Sequence, residues 1–592
     1  MTDVSTGTCG GRVTCNFLKN YYADKEVEGE GGKDEEKNEE DPLFMYEEIT
    51  AFLISLRPQI RPQEESSEND VIEAKLPLRS SLFDHVSPYL QFQLHSSIGI
   101  DIPFELTNSL KWKLTPTTPK IVRKIVANTG YGMTRDARGD WCGSWCEAMF
   151  AYNFECIKNH QKINHFPGAY EIGNKDRLCR NLNRLANLHG KKKFDFIPDT
   201  YVVPEDLPKI RANWQKCRRN KWIVKPPASS CGRGIFLVSE FAKIARIITN
   251  GKMVVQRYLS RPKLIDNTKF DLRIYVLVTS FDPLKIYVYR EGLVRFACDS
   301  YRNSPSNLDN HFMHLTNYSV NRSCSRYECN DTLDSGKGHK WSLRCLWSYL
   351  NKQGVDAAGV LNKIHDIIVK TIISCESSIN SFTRTHISSR YSCYELLGFD
   401  VLLDENTKPW LLEVNISPSL QTSSPLDEAV KGPLVRDTLN IVGYQVPDNI
   451  PRLSLHHLQA KYNETISKSS FVCQDHQFYD KEISRMARRK QTFYSRICNR
   501  NSNCYVNSIL DALTPDDARH LMRYEDELEA IGDFTKIFPT SQTRKYFKYF
   551  AKVSYYNLLF DAWEKTYGSD NTRENAIERL RNLSKIKYHL AD

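Results

Sequence analysis

The apolar run KPWLLEVNISPSL (408–420) is interrupted by a carboxylate, Glu413, and two positions later by a carboxamide, Asn415. Side chains at i and i+2 of a β-strand emerge on one face, so these two would share it. Upstream, YELLGFDVLL and the turn residues DENTKP complete a hairpin pattern. A turn over about residues 404–409 sets Asp400 roughly opposite Glu413. Three oxygen donors then converge. Two unpaired carboxylates would repel, and one would have to stay protonated. A divalent cation removes that problem, and carboxylate and carbonyl oxygens suit Mg²⁺ shared with nucleotide phosphates. The neighbours Leu411, Leu412 and Val414 are expected in the core. A surface hairpin with unrelated acids is the plainer alternative.

Three further stretches have chemical potential. In KPPASSCGRGIF (225–236) an apolar strand ends on Lys225, and a small-residue loop follows with Gly232, Arg233 and Gly234. Glycines let backbone amides approach phosphate, and a lysine supplies a point charge to it. The pattern is not a Walker A motif, and a glycine-containing hairpin turn would look similar. In KFDLRIYVLV, Lys269, Asp271, Arg273 and Tyr275 share one strand face, which elsewhere is often merely solvated. In HLTNYSVNR, Thr316, Asn317, Tyr318 and Ser319 offer short polar groups that could bond a ligand or cap a turn.

Taken together and in this order, the stretches NHFPGAYEIGNKDRL, WIVKPPASSCGRGI, VQRYL, KFDLRIYVLVTS, FMHLTNYSVN and YELLGFDVLLDENTKPWLLEVNISPSL resemble the tubulin tyrosine ligase-like family over about residues 80–446. KPPASS, GLVRF, GHKW and SSPLD…VKG resemble its glutamate-adding branch, the tubulin polyglutamylases. The resemblance implies an α/β (α+β) fold with an ATP-grasp-like catalytic core that uses ATP and Mg²⁺. The implied reaction joins free L-glutamate to γ-carboxylates of glutamates in acidic tubulin tails through an acyl phosphate.

Carried over by position, Asp400, Glu413 and Asn415 match the family's metal ligands. Lys225 matches its phosphate-binding lysine, and Arg233 and Gly234 its phosphate loop. Gln256, Arg257, Tyr258 and Leu259 match the adenine-side strand. Lys269, Phe270, Asp271, Thr316 and Asn317 match further nucleotide contacts. Arg295, Tyr318, Ser319, Lys340 and Lys431 match positions that hold the free glutamate. Lys225, Arg295 and Glu413 are the implied catalytic set. Free glutamate has two carboxylates, for which Arg295, Lys340 and Lys431 could supply opposing charge. A glycine or tyrosine ligase of the same family, or an inactive microtubule-binding scaffold, are the competing readings. A nucleic-acid enzyme has no recognition motif in its favour.

These residues need a scaffold, and 592 residues with 41% hydrophobic content suffice for several cores. Residues 1–75 read as an acidic, disordered segment with one apolar island, MYEEITAFLISL (45–56). Residues 80–446 read as the catalytic domain. Strands are expected at KWIVKPP, IFLV and KMVVQRYLS, and a hairpin at FDLRIYVLVTS–KIYVYREGLVRFAC around Asp282-Pro283-Leu284. A helix opens near Asn174 or Lys175, and two more fill 341–382, separated by Gly354. Residues 452–592 read as a helical, basic C-terminal extension with clusters RMARRK (485–490) and TRKYFKYFAK (543–552).

Residues 24–41 hold ten acids against three lysines, a local charge of −7, so with +10 overall the rest carries +17. A body that basic suits an acidic tubulin tail or other acidic proteins, with strong salt dependence. The 17 scattered cysteines fit reduced thiols, and Cys142 and Cys146 read as packed rather than zinc-bound. The opening MTDVSTGTCGG has no apolar h-region and no run of about 18 apolar residues occurs. These features by themselves lead to the expectation of a cytosolic or nuclear protein without a membrane span; the resemblance implies a cytoplasmic monomer on microtubules, in the cytoskeleton or at a cilium or basal body, without nucleic acid or membrane.

Overall fold

A computed structural model describes residues 78–95, 104–136, 139–216, 220–229, 232–247, 251–304, 307–447, 483–498 and 507–591. All fall within one unit, Ser66–Asp592. The acidic segment 1–75 and residues 452–482 of the expected extension lie outside the described residues.

Near the start, Lys111–Lys113 (β1), Gly132–Thr134 (β2), Gly143–Ser144 (β3) and Lys162–Ile163 (β4) form a short parallel sheet. The helix Lys175–His189 (α1) follows, with Asn174 at its N-cap position. The Asn174 side chain makes no capping bond. The first helical amide, Lys175 N–H, instead donates to Pro227 O at 3.1 Å. This helix is thereby tied to the loop after the next sheet's second strand.

That sheet is antiparallel: Thr200–Val203 (β5), Trp222–Lys225 (β6), Phe236–Val238 (β7) and Met253–Arg257 (β8), in spatial order β5-β8-β6-β7. The larger sheet is built on the long hairpin Thr268–Phe281 (β9) and Leu284–Ser300 (β10), turning at Asp282-Pro283 as the sequence predicts. Lys340–Ser342 (β11), Glu395–Leu403 (β12) and Pro409–Asn415 (β13) extend it in the order β11-β10-β9-β12-β13. The short strand β11 opens a stretch expected to be wholly helical; the helix itself runs Leu343–Lys352, and Gly354 beyond it adopts φ 74°.

Alternation along β9 divides the labour. Phe270, Leu272, Ile274, Val276 and Val278 enter the core on the side of the long helix Ala357–His386 (α2). The opposite face carries Lys269, Asp271, Arg273 and Tyr275, then Leu277, and belongs to the core of Pro425–Val442 (α3). That face is buried rather than wet, because the small sheet, α3 and the segment around Thr316 cover it. Ser424 caps α3 by accepting from Asp427 N–H, with Pro425 in its first turn.

The hairpin β12–β13 pairs Asp400 with Glu413, as its turn length implied, and Gly398 with Asn415. One expectation is corrected. The register shifts between Asp400 and Val401, so Leu412 is the extra residue of a bulge. Leu411 and Val414 are core, but Leu412 is half-buried and lines the same pocket as Glu413.

The C-terminal residues supply more than helices. Pro515–Glu529 (α4), Tyr555–Tyr567 (α5) and Asp570–Lys585 (α6) share a core of their own. Between them Phe534–Phe538 (β14) pairs antiparallel with β10 and so joins the large sheet. In the basic cluster at 543–552, Tyr546, Tyr549 and Phe550 are buried against the core of α2. RMARRK opens the helix Arg485–Cys498, with Arg485, Arg488 and Arg489 exposed and Lys490 paired to Asp517 at 2.8 Å.

Candidate active site

The end of β6 places Lys225 on the floor of a pocket with about 730 Å³ of space, its open mouth included. This is the size of a small-molecule site. Gln256, Arg257, Tyr258 and Leu259 from the end of β8 line it, with Lys269 and Asp271 from β9. Thr316, Asn317, Asp400 and Glu413 close it, so residues drawn from five separate stretches meet. Gly232 reaches it too, at φ 72°, where a Cβ would come within 3.0 Å of Val320 Cγ2.

Two lysines dominate this pocket. Lys225 Nζ donates to Gln256 Oε1 at 2.9 Å, and Gln256 in turn donates to Thr200 Oγ1 at 2.9 Å. Lys269 Nζ donates to His314 O at 2.8 Å and Tyr258 OH at 3.2 Å. Among the described residues neither donates to a carboxylate. Burial, only partly offset by nearby acids, pushes both ammoniums down to about 8. Burial also holds the His314 imidazole down near 4, so it is neutral at physiological pH.

The acids beside them are already paired. Asp400 accepts from Arg273 Nε at 2.6 Å and from Arg295 Nη2 at 2.8 Å. Burial would raise its carboxyl, but the two guanidiniums outweigh that and hold it well below the usual range. Arg295 also grips Asp271 with two hydrogen bonds of 2.8 and 2.6 Å. Glu413 pairs with Lys175 Nζ at 3.1 Å, and the same ammonium donates to Ser229 O at 3.0 Å. Asn415 Nδ2 donates to Gly398 O at 3.2 Å. In this arrangement Arg273 and Arg295 neutralise Asp400, and Lys175 neutralises Glu413. Among the described residues no three His, Cys, Asp or Glu side chains are placed to cage a metal.

A second cluster adjoins the first through Arg295, whose strand partner is Lys340. Lys340 Nζ lies 2.8 Å from Asp427 Oδ2 and 4.5 Å from the centre of the Tyr318 ring. Lys431 Nζ lies 2.8 Å from Asp427 Oδ1 and 2.6 Å from Gln421 O. Burial would raise the Asp427 carboxyl, but Lys431 and Lys340 hold it below its ordinary value. Ser319 follows Tyr318 in the same short turn of helix, Tyr318–Asn321.

Not every residue singled out in the sequence converges here. Phe270 is fully buried in the opposite core, tilted against Phe296 at 5.6 Å, so its side chain does not reach the pocket. Arg233 and Gly234 are exposed and do not line it. Conversely, Lys175, Arg273, His314 and Asp427 join the site although the sequence patterns do not mark them as site residues. Arg273 carried a signal, since it continues the Lys269–Asp271 face; Lys175 and Asp427 are brought in only by tertiary packing.

Two sheets around a lysine-rich pocket, with carboxylates at its edge, make an ATP-grasp-like core. The tubulin-tyrosine ligase family profile matches residues 155–452, and the chain belongs to this family. It is 36% identical over 600 residues to a tubulin monoglutamylase of Mus musculus, covering 99% of this chain and 50% of that protein. It is 40% identical over 510 residues to a Homo sapiens tubulin monoglutamylase, covering 86% and 42%. A tubulin polyglutamylase of Caenorhabditis briggsae matches at 36% over 517 residues, covering 87% of this chain and 82% of that one. The chain thus spans about half the length of the mammalian relatives.

Proposed function

We propose that the protein is an ATP-dependent ligase that adds L-glutamate to γ-carboxylates of glutamates in acidic tubulin tails. The observation that carries this reading is the pair of buried lysines, Lys225 and Lys269, facing a pocket without hydrogen-bonded counter-charges beside the acids Asp400 and Glu413. Such a site is short of negative charge, and a nucleoside triphosphate supplies it. The names of the relatives support tubulin as acceptor and glutamate as the added group.

In this reading the acceptor carboxylate takes the γ-phosphoryl group of ATP, releasing ADP and leaving an acyl phosphate. The amine of free glutamate attacks the acyl carbon, loses a proton and expels phosphate, forming an isopeptide bond. Lys225 and Lys269 hold the phosphates, with Gln256 fixing Lys225. The end of β8 at Arg257 and the following Tyr258 and Leu259 border the base, and Thr316 and Asn317 add polar contacts. Arg295, Lys340 and Lys431, with Tyr318 and Ser319, hold the free amino acid. Asp400, Glu413 and Asn415 offer hard oxygen donors that fit Mg²⁺, provided that Arg273 and Arg295 share Asp400 with the ion and Lys175 yields Glu413. Mg²⁺ held there would neutralise phosphate charge. No helix of the described residues is long and apolar enough to cross a membrane. The exposed arginines Arg485, Arg488 and Arg489 support contact with a polyanionic microtubule surface, and a microtubule or ciliary setting follows from the substrate.

The test is incorporation of labelled glutamate, glycine or tyrosine into purified tubulin, read by mass spectrometry. Glutamate alone should enter, and Glu413→Gln should lower the rate by roughly 10²–10³-fold while the fold holds. Glycine entering in place of glutamate, or an unchanged Glu413→Gln rate, would overturn the reading.

A further inference from the structure

Among the described residues, two buried tyrosine hydroxyls make no hydrogen bond, those of Tyr131 and Tyr275. Their surroundings differ. Besides burial, the groups acting on Tyr131 are only a thiol and another phenol, Cys142 and Tyr394. Those acting on Tyr275 are ions: Arg273, Asp427, Arg295 and Lys340. A buried hydroxyl without a hydrogen bond is costly unless something else completes it.

Its position follows from the strand. Tyr275 lies two residues beyond Arg273 on β9 and shares its face. Opposite it on β12 is Gly398, which has no side chain to fill the space. A Cβ at Gly398 would meet Arg273 Cδ at 3.1 Å and Pro418 Cβ at 3.0 Å, so the glycine lets the Arg273 stem cross it. The phenol ring shares its core with Leu426 and Val430, the residues flanking Asp427 and Lys431 on α3.

The missing partner must accept a hydrogen bond. The surrounding guanidinium and ammonium groups are donors only. The one nearby carboxylate on α3, Asp427, is already neutralised: its Oδ2 accepts from Lys340, the Ser423 amide and the Ser424 hydroxyl, and its Oδ1 lies in an ion pair 2.8 Å from Lys431 Nζ, without an aligned hydrogen bond. Lys340, Lys431 and Asp427 together carry one net positive charge, which leaves room for one more anionic group.

We propose that the Tyr275 hydroxyl is a substrate-binding group, donating a hydrogen bond to a carboxylate of the free amino acid held by Arg295, Lys340 and Lys431. This rests on the reading that the cluster holds that amino acid. Burial pushes the phenol up to about 12 against the opposing pull of Arg273, Arg295 and Lys340, so it remains a protonated donor at working pH.

Tyr275→Phe removes only the oxygen. In the full chain, the glutamate KM should rise roughly 10- to 100-fold, the range for a hydrogen bond to a charged acceptor. kcat and the KM for ATP should stay within about threefold. The melting temperature without ligand should hold or rise, because an unsatisfied polar group is lost, while the stabilisation by added L-glutamate should shrink. A glutamate KM within about twofold of wild type would overturn the proposal. So would a fall in the ligand-free melting temperature with kcat and both KM values changed together, which marks a structural role. If the wild-type chain takes up a different amino acid, the glutamate reading falls, and the same KM ratio measured with that amino acid decides the role of Tyr275.

Discussion

Lys225 and Lys285 are both buried lysines, and burial pushes both ammoniums down to about 8. Their partners differ. Lys285 sits 2.5 Å from Glu527 Oε1 and 4.7 Å from the centre of the Tyr391 ring. Glu527 also accepts from Thr279 and Tyr287, each at 3.1 Å. That cluster bolts α4 of the C-terminal region onto the β9–β10 hairpin. Lys225 has only an amide oxygen, and it faces a pocket. A displaced pKa therefore does not identify a functional site by itself. What separates the two is whether the counter-charge is built in or must arrive with a ligand.

Exchanging each lysine for methionine tests this contrast most severely. Lys225→Met should cost roughly 10²–10³-fold in ligation rate, while stability in urea holds or rises because a buried, unpaired charge is gone. Lys285→Met should do the reverse. It strands Glu527 in the interior and should cost about 3–5 kcal/mol of unfolding free energy, with nucleotide affinity per folded molecule unchanged. If Lys285→Met abolished nucleotide binding without loss of stability, the distinction would collapse.

A smaller effect is expected with pH. With Lys225 and Lys269 at about 8 in the empty pocket, phosphate binding favours their charged forms. Nucleotide affinity should be flat below pH 8 and fall above it, by up to roughly tenfold per pH unit for each lysine. Between pH 8 and the ordinary lysine range the folded chain binds fewer protons than the unfolded one at these sites. Their contribution to stability therefore rises with pH while affinity falls. Calorimetric titration of a non-hydrolysable ATP analogue in buffers of different ionisation heat would show proton uptake near pH 8, and its absence would refute the assignment of the two lysines.

The smallest effect lies in the structural region. Thr514 caps α4 in a reciprocal capping box with Asp517. Thr514→Ala should cost about 1 kcal/mol, seen as a shifted urea midpoint, with no change in nucleotide affinity.

Much of the site's local geometry is legible in the amino-acid sequence. The hairpin 395–415 follows from two apolar runs flanking a polar turn, and counting through that turn places Asp400 opposite Glu413. The face shared by Lys269, Asp271 and Arg273 follows from the period-two alternation of a strand. The bulge at Leu412 is not legible, because it trades one ladder position for a second residue facing the pocket, a choice made by packing. The aromatic residues within TRKYFKYFAK are equally opaque: the lysines suggest a wet face, but Tyr546, Tyr549 and Phe550 find the core beneath α2.

Short-range periodicity and residue chemistry are enough to specify the β9–β10 and β12–β13 hairpins and the family, but not the strands β11 and β14, which stand where the sequence suggests helix. Which charges neutralise which is settled only when the chain closes on itself. Arg273 reaches Asp400 across 127 residues, Lys340 reaches Asp427 across 87, and Lys285 reaches Glu527 across 242. Such pairings arise when sheets and helices close over buried polar groups, and the cost of leaving a buried charge unpaired selects them. That selection left Lys225 and Lys269 without built-in counter-ions and Tyr275 without an acceptor.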